Sequence, residues 1–191
     1  MRKLAKNTPQ QKVRAAGKFS FSFAELRFAL VFLLVFSILQ FGYSASRGSF
    51  FEWLVIDVVT VRPSAAVINL IAPRELAQAN GHRIVSAQGG LNILNGCEGT
   101  ESMFLLLAAI VAFTAPWLHK LKGILVGITL VYLLNQVRII VLYFVAHHDK
   151  HWFDLLHGYI APTLIIVLTC VFFLWWAGNS AAVNVEPAKT K

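Results

Sequence analysis

Charge is scarce in this chain. Only 14% of its 191 residues are Asp, Glu, Lys or Arg, against 57% hydrophobic, whereas soluble domains carry about 25% charged residues. That deficit excludes an ordinary soluble domain and points to an integral membrane protein. Acids are the scarcer sign, with 9 against 17 bases, and none precedes Glu25. A net charge of +8 could signal nucleic acid, but the bases lie beside apolar runs, where membrane orientation requires them, so no nucleic-acid partner is expected. Cysteine is nearly absent, Cys97 and Cys170 being the whole supply. Cys170 falls inside the last apolar run, about 13 residues or roughly 20 Å along a helix from its outer end, too far from Cys97 for a disulfide. The sequence therefore predicts a reduced thiol at Cys97 and a small apolar filler at Cys170. A His-Glu-x-x-His pattern, internal repeats and low-complexity tracts are all missing.

Long apolar runs are what the chain does have, and they predict an all-α integral membrane fold with about four transmembrane helices. Arg2, Lys3, Lys6, Lys12, Arg14 and Lys18 make residues 1–25 a basic cytoplasmic tail. Residues 26–177 then form one membrane domain, with spans at about 26–43, 98–117, 121–146 and 157–176, followed by a cytoplasmic tail, 178–191. Ser44-Ala45-Ser46 has the small side chains of a signal-peptide cleavage site, an alternative to a first span that stays in place. The region 44–97 is expected on the extracytoplasmic side. Within it, Glu52, Asp57 and Arg62-Pro63 break the apolar stretch from Phe50 to Ala72 into runs too short for the roughly 20 residues of a span, which predicts interfacial helices. Ile84–Gln88 and Leu91–Asn95 bracket Gly89-Gly90 and predict a small β-hairpin turning there. The basic stretch His119-Lys120-Leu121-Lys122 reads as a short cytoplasmic turn. With both termini inside, Cys97, the loop 147–156 and the start of the last helix meet on the outer face.

Candidate chemistry centres on Asn95-Gly96-Cys97-Glu98-Gly99-Thr100-Glu101-Ser102, a polar stretch just before an apolar run. A cysteine at the N-terminal edge of a helix meets unpaired N–H groups and the positive end of the dipole, which favour a thiolate. Glu98 and Glu101 would oppose ionisation, so a nearby cation is needed. Arg138 interrupts an apolar helix about nine residues, some 13 Å, from the outer loop, where an arginine costs on the order of 2.5–3.5 kcal/mol and must face the bundle. It is either structurally paired or aimed at a thiolate, a carboxylate or a developing oxyanion. Asn135 shares its face and is placed to hold it. His147, His148, His151 and His157 supply acid–base candidates, of which His157, opening the last span directly before Gly158, is best placed. His147 and His151 at helical spacing, with Asp154, are the metal-binding alternative; no metal and no other cofactor is expected.

In combination these residues resemble the exosortase/archaeosortase family of multispanning membrane cysteine transpeptidases. Asn-Gly-Cys-Glu-Gly at 95–99 is similar to the family's cysteine motif, Asn135-Gln136-Val137-Arg138-Ile139 to its Asn-x-x-Arg-Ile motif, and His157 to its histidine. Many members have further N-terminal spans, so the chain looks like a short form. The resemblance implies catalytic roles for Cys97, Arg138 and His157, supported by Asn135, Gly96 and Gly99. It also implies an inner-membrane enzyme, working on the extracytoplasmic face, that cleaves secreted proteins at C-terminal sorting signals built from a Pro-Glu-Pro-type motif, a membrane span and a basic cluster. Apart from membrane lipids, those secreted proteins are the expected partners. A non-enzymatic scaffold or transporter subunit with a structurally paired Arg138 is the alternative.

Overall fold

The computed structural model describes residues 22–183, apart from 88, 94, 95 and 147, with side chains to residue 180. The basic stretch Arg2–Lys18, Asn95, His147 and the C-terminal residues 184–191 lie outside the described residues. Helix α1, Phe23–Ala45, opens with a capping box: the Ser22 hydroxyl accepts from the Glu25 N–H, and the Glu25 carboxylate accepts from the Ser22 N–H. Leu30, Leu33, Leu34 and Ile38 are exposed and Tyr43 is its one buried residue, which suits a helix at the edge of a bundle with most of its surface toward lipid.

Helix α2, Phe50–Ile71, is a single run of 22 residues with a π-helical segment at Leu54–Val61. It replaces the separate interfacial helices expected there, because each presumed breaker finds a partner. Glu52 accepts the Gly48 N–H at 2.6 Å, Asp57 pairs with His82 at 3.0 Å, and Arg62 lies over the Trp53 ring at 5.6 Å. Pro63 has no N–H to offer the carbonyl four residues back, and that carbonyl, Val59 O, accepts instead from Tyr132 Oη at 3.0 Å and Gln136 Nε2 at 3.4 Å. A short turn, Pro73–Glu75, then leads into an antiparallel sheet of β1 Gln78–Asn80, β2 Arg83–Ser86 and β3 Gly89–Asn92.

The predicted hairpin is present, but its last pair is Ser86 with Gly89, so it does not turn at Gly89-Gly90. Gly89 and Gly90 are strand residues. A Cβ on Gly90 would stand 2.8 Å from Ile84 O, so the close approach of β2 explains the glycine. A second hairpin turns at Gly81-His82, with Gly81 at φ +55°; Asn80-Gly81 was its signal in the sequence.

Helix α3, Thr100–Ala112, has 13 residues and spans about 20 Å, shorter than the expected 98–117. The break falls at 113–116, and His119–Lys122 form the first turns of α4, Trp117–Ala146. Pro116 stands where a helix can begin but not continue, and Lys120 Nζ reaches back to Val111 O at 2.8 Å, occupying a terminal carbonyl of α3. Helix α5 covers 150–183 through a π-helical segment, Leu156–Ile160. Asp149 caps it by accepting from the His151 and Trp152 N–H groups, so the helix starts seven residues before His157 rather than at it.

The fold is all-α with a small sheet, and α1, α2, α4 and α5 are long and apolar enough to cross a membrane. Helices α1 and α3 are antiparallel, joined by Tyr43 against Phe104 at one end and Arg27 to Thr114 Oγ1 at the other. Gly123 and Gly127 of α4 let Trp176, Phe172 and Leu106 close on its backbone. One core, around Leu106, Val131, Ile165 and Phe172, fills this half of the bundle; a second, around Ile56, Ile68, Ile84, Ile139 and Tyr143, joins α2 and the sheet to the far half of α4. Cys97, Phe153 and Leu156 pack on the second core.

Candidate active site

Cys97 sits in the loop between β3 and α3, flanked by two glycines in left-handed conformations, Gly96 at φ +97° and Gly99 at φ +82°. Only glycine adopts these without strain. Gly99 has a second reason to lack a side chain, since a Cβ there would fall 2.8 Å from Asn135 Cγ. The close approach has a purpose: Asn135 Nδ2 donates to Cys97 O at 3.1 Å. Asn135 thus holds the backbone of the cysteine, not the arginine it was expected to orient.

The thiol stands outside the helix that follows. Gly99 is the N-cap of α3, so Cys97 lies three residues ahead of the first helical turn, where the dipole weakens. A basic group is supplied from elsewhere. His157 Nε2 is 3.9 Å from Cys97 Sγ across a separation of 60 residues. The ring is fixed by stacking on Phe153, one turn earlier on α5, with centroids 5.4 Å apart and planes 5° apart, while Nδ1 is buried with no hydrogen-bond partner among the described residues. Residues 156–160 are π-helical, a distortion common where a helix aims a functional group. Phe153 and His157 share the i, i+4 spacing that could have singled out this pair from sequence.

Arg138 enters from α4 and lines a cavity of about 160 Å³ with Gly96, Gly99, Glu101, Ser102 and Pro162. Its Nε is buried without a partner, and it makes no ion pair among the described residues. Arg138 thus shares a cavity with residues of the cysteine loop and, among the described residues, has no structural ion pair. Such a guanidinium can meet a carbonyl oxygen as it gains negative charge. Glu98, expected to oppose the thiolate, instead folds back onto its own loop, accepting from Gly96 N–H at 2.6 Å and Thr100 Oγ1 at 3.0 Å.

Of the other candidate histidines, the two that are described stay apart from the cysteine. His148 and His151 are exposed, His148 Nδ1 lying 2.8 Å from Phe144 O. Among the described residues, no three His, Cys, Asp or Glu side chains are grouped to hold a metal ion. Cys170 is exposed on α5 and joins no disulfide.

In comparison with known proteins, the family model described as transmembrane exosortase (Exosortase_EpsH) matches residues 19–176. No curated protein and no solved structure matches the chain. The matched stretch runs from before α1 to Trp176 and includes the cysteine loop, Arg138 and His157. This multi-pass membrane protein, in which Cys97 and His157 meet, belongs to the transmembrane exosortase family.

Proposed function

We propose that the chain is a cysteine protease or transpeptidase of the inner membrane, cleaving secreted proteins at C-terminal sorting signals on the extracytoplasmic face. The observation that carries this reading is the 3.9 Å approach of Cys97 Sγ to His157 Nε2, a nucleophile–base pair assembled from distant parts of the chain. His157 takes the Cys97 proton as sulfur attacks the scissile carbonyl carbon. Arg138 faces the oxygen that becomes anionic. Collapse breaks the C–N bond, His157 returns the proton to the leaving amine, and a thioester remains on Cys97. An incoming amine, hydroxyl or water then loses a proton to His157 and attacks the thioester, restoring the thiol.

No cofactor is needed for these steps. The acceptor decides whether the outcome is transfer or hydrolysis. Expressing the chain with a secreted protein that carries a Pro-Glu-Pro motif, an apolar span and a basic cluster tests the reading by substrate mass. Wild type should shorten the substrate and Cys97→Ala should leave it intact at equal membrane abundance. Identical substrate masses with both would instead favour a scaffold.

A further inference from the structure

We infer that Glu98 is a positioning residue that holds Cys97 within reach of His157; the inference rests on Cys97 being the reactive thiol. Glu98 follows the cysteine directly and is 3% exposed. A carboxyl group so buried in a largely apolar bundle requires hydrogen-bond donors, and this one takes them from either side of the thiol: Gly96 N–H at 2.6 Å and Thr100 Oγ1 at 3.0 Å. One side chain thereby ties together the two ends of the segment 96–100. Asn135 fixes the middle of that segment through Cys97 O at 3.1 Å.

The segment needs such fixing. Gly96 and Gly99 carry positive φ angles, and glycine backbone left to itself samples many conformations. With three side-chain contacts in place over five residues, the direction of the Cys97 Cα–Cβ bond is set, and with it the distance to an imidazole held independently by Phe153. Without Glu98 the glycines would let the thiol swing away while both helices stayed packed. On this account Glu98 touches neither substrate nor the reacting atoms; it acts through the loop.

The test reads thiol–imidazole coupling directly and needs no substrate. In a Cys170→Ser background, where Cys97 is the one remaining cysteine, alkylation by a small neutral reagent is timed for four proteins: the background, His157→Ala, Glu98→Ala, and both together. His157→Ala is expected to slow alkylation at least tenfold or so in the background, as loss of a positioned base should, and less than about twofold once Glu98→Ala is present. A full effect of His157→Ala in the presence of Glu98→Ala would overturn the proposal. If Glu98→Ala does not accumulate, Thr100→Val removes the Thr100 donor while Thr100→Ser keeps it. Weakened coupling in Thr100→Val with rescue in Thr100→Ser supports the clamp, and equal coupling in both overturns it. Failure of the protein to process any sorting signal would leave this measurement intact, so the two readings fail separately. Where processing is observed, Glu98→Gln, which retains an acceptor for one contact, should lower kcat several-fold with KM unchanged.

Discussion

At the scale of single residues, the site is governed by two glycines that differ in their surroundings. Both hold left-handed φ, but a Cβ on Gly99 would strike Asn135, whereas the nearest atom to one on Gly96 is Glu101 Oε1 at 3.9 Å. Gly96→Ala should therefore cost only the backbone strain, about 1–3 kcal/mol, and Gly99→Ala more, together with loss of the Asn135 contact. Thermal unfolding in detergent, run beside an activity assay, should rank them in that order. Arg138→Lys is a second test at this scale. A lysine retains the charge but not the planar fork, so substrate cleavage should fall at least about a hundredfold, in the range seen when one oxyanion donor is removed, with normal membrane abundance. Equal activity would mean that charge alone suffices.

At the scale of elements, the π-helical segment Leu156–Ile160 controls where His157 points. A π-helix closes its hydrogen bonds five residues apart where an α-helix closes them four apart, so deleting one residue there should restore α-helical winding, keep the flanking turns in register and move the His157 ring out of the place the wider turn gives it. Gly158 is the residue to delete, because nothing lies within 4 Å of a Cβ built on it. The deletion should leave the protein folded and inactive, and Gly158→Ala should be close to wild type in both respects. The sequence was legible wherever chemistry is local: the glycine-flanked cysteine, the arginine in an apolar run and the histidine were all readable, and the structure brings Cys97 and His157 together. It was misleading wherever a polar group is satisfied by a distant partner. Pro63 reads as a break until Tyr132 and Gln136 are seen to take Val59 O. Asp57 likewise reads as a break until His82 arrives from a turn in the sheet. The role of Glu98 was hidden for a different reason, since its partners are only two residues away but its direction depends on the positive φ angles on either side.

At the scale of the whole molecule, α1 and α3 are antiparallel, and so are α4 and α5, where Gly123 meets Trp176 and Gly127 meets Phe172; we propose that these four, and not α2, cross the bilayer, so that the chain enters and leaves on the cytoplasmic side. Reporter fusions after residue 183 should be active only in the cytoplasm, and periplasmic activity would reverse the orientation. The brevity of α3 has a consequence for the depth of the chemistry. If Lys120 and Lys122 mark one face of the bilayer, a helix of 13 residues rises only about 20 Å through a hydrocarbon layer of roughly 30 Å. Cys97, three residues beyond it, is then sunk beneath the opposite headgroups. Bulk water is thin at that level. A thioester formed there would be shielded from hydrolysis, and an acceptor arriving by lateral diffusion through the lipid would have the advantage over one arriving from solution. A charged, impermeant thiol reagent should accordingly label Cys97 far more slowly than a cysteine introduced at Ala79 on the exposed strand β1, and local thinning of the membrane around α3 would be the alternative accommodation of its length.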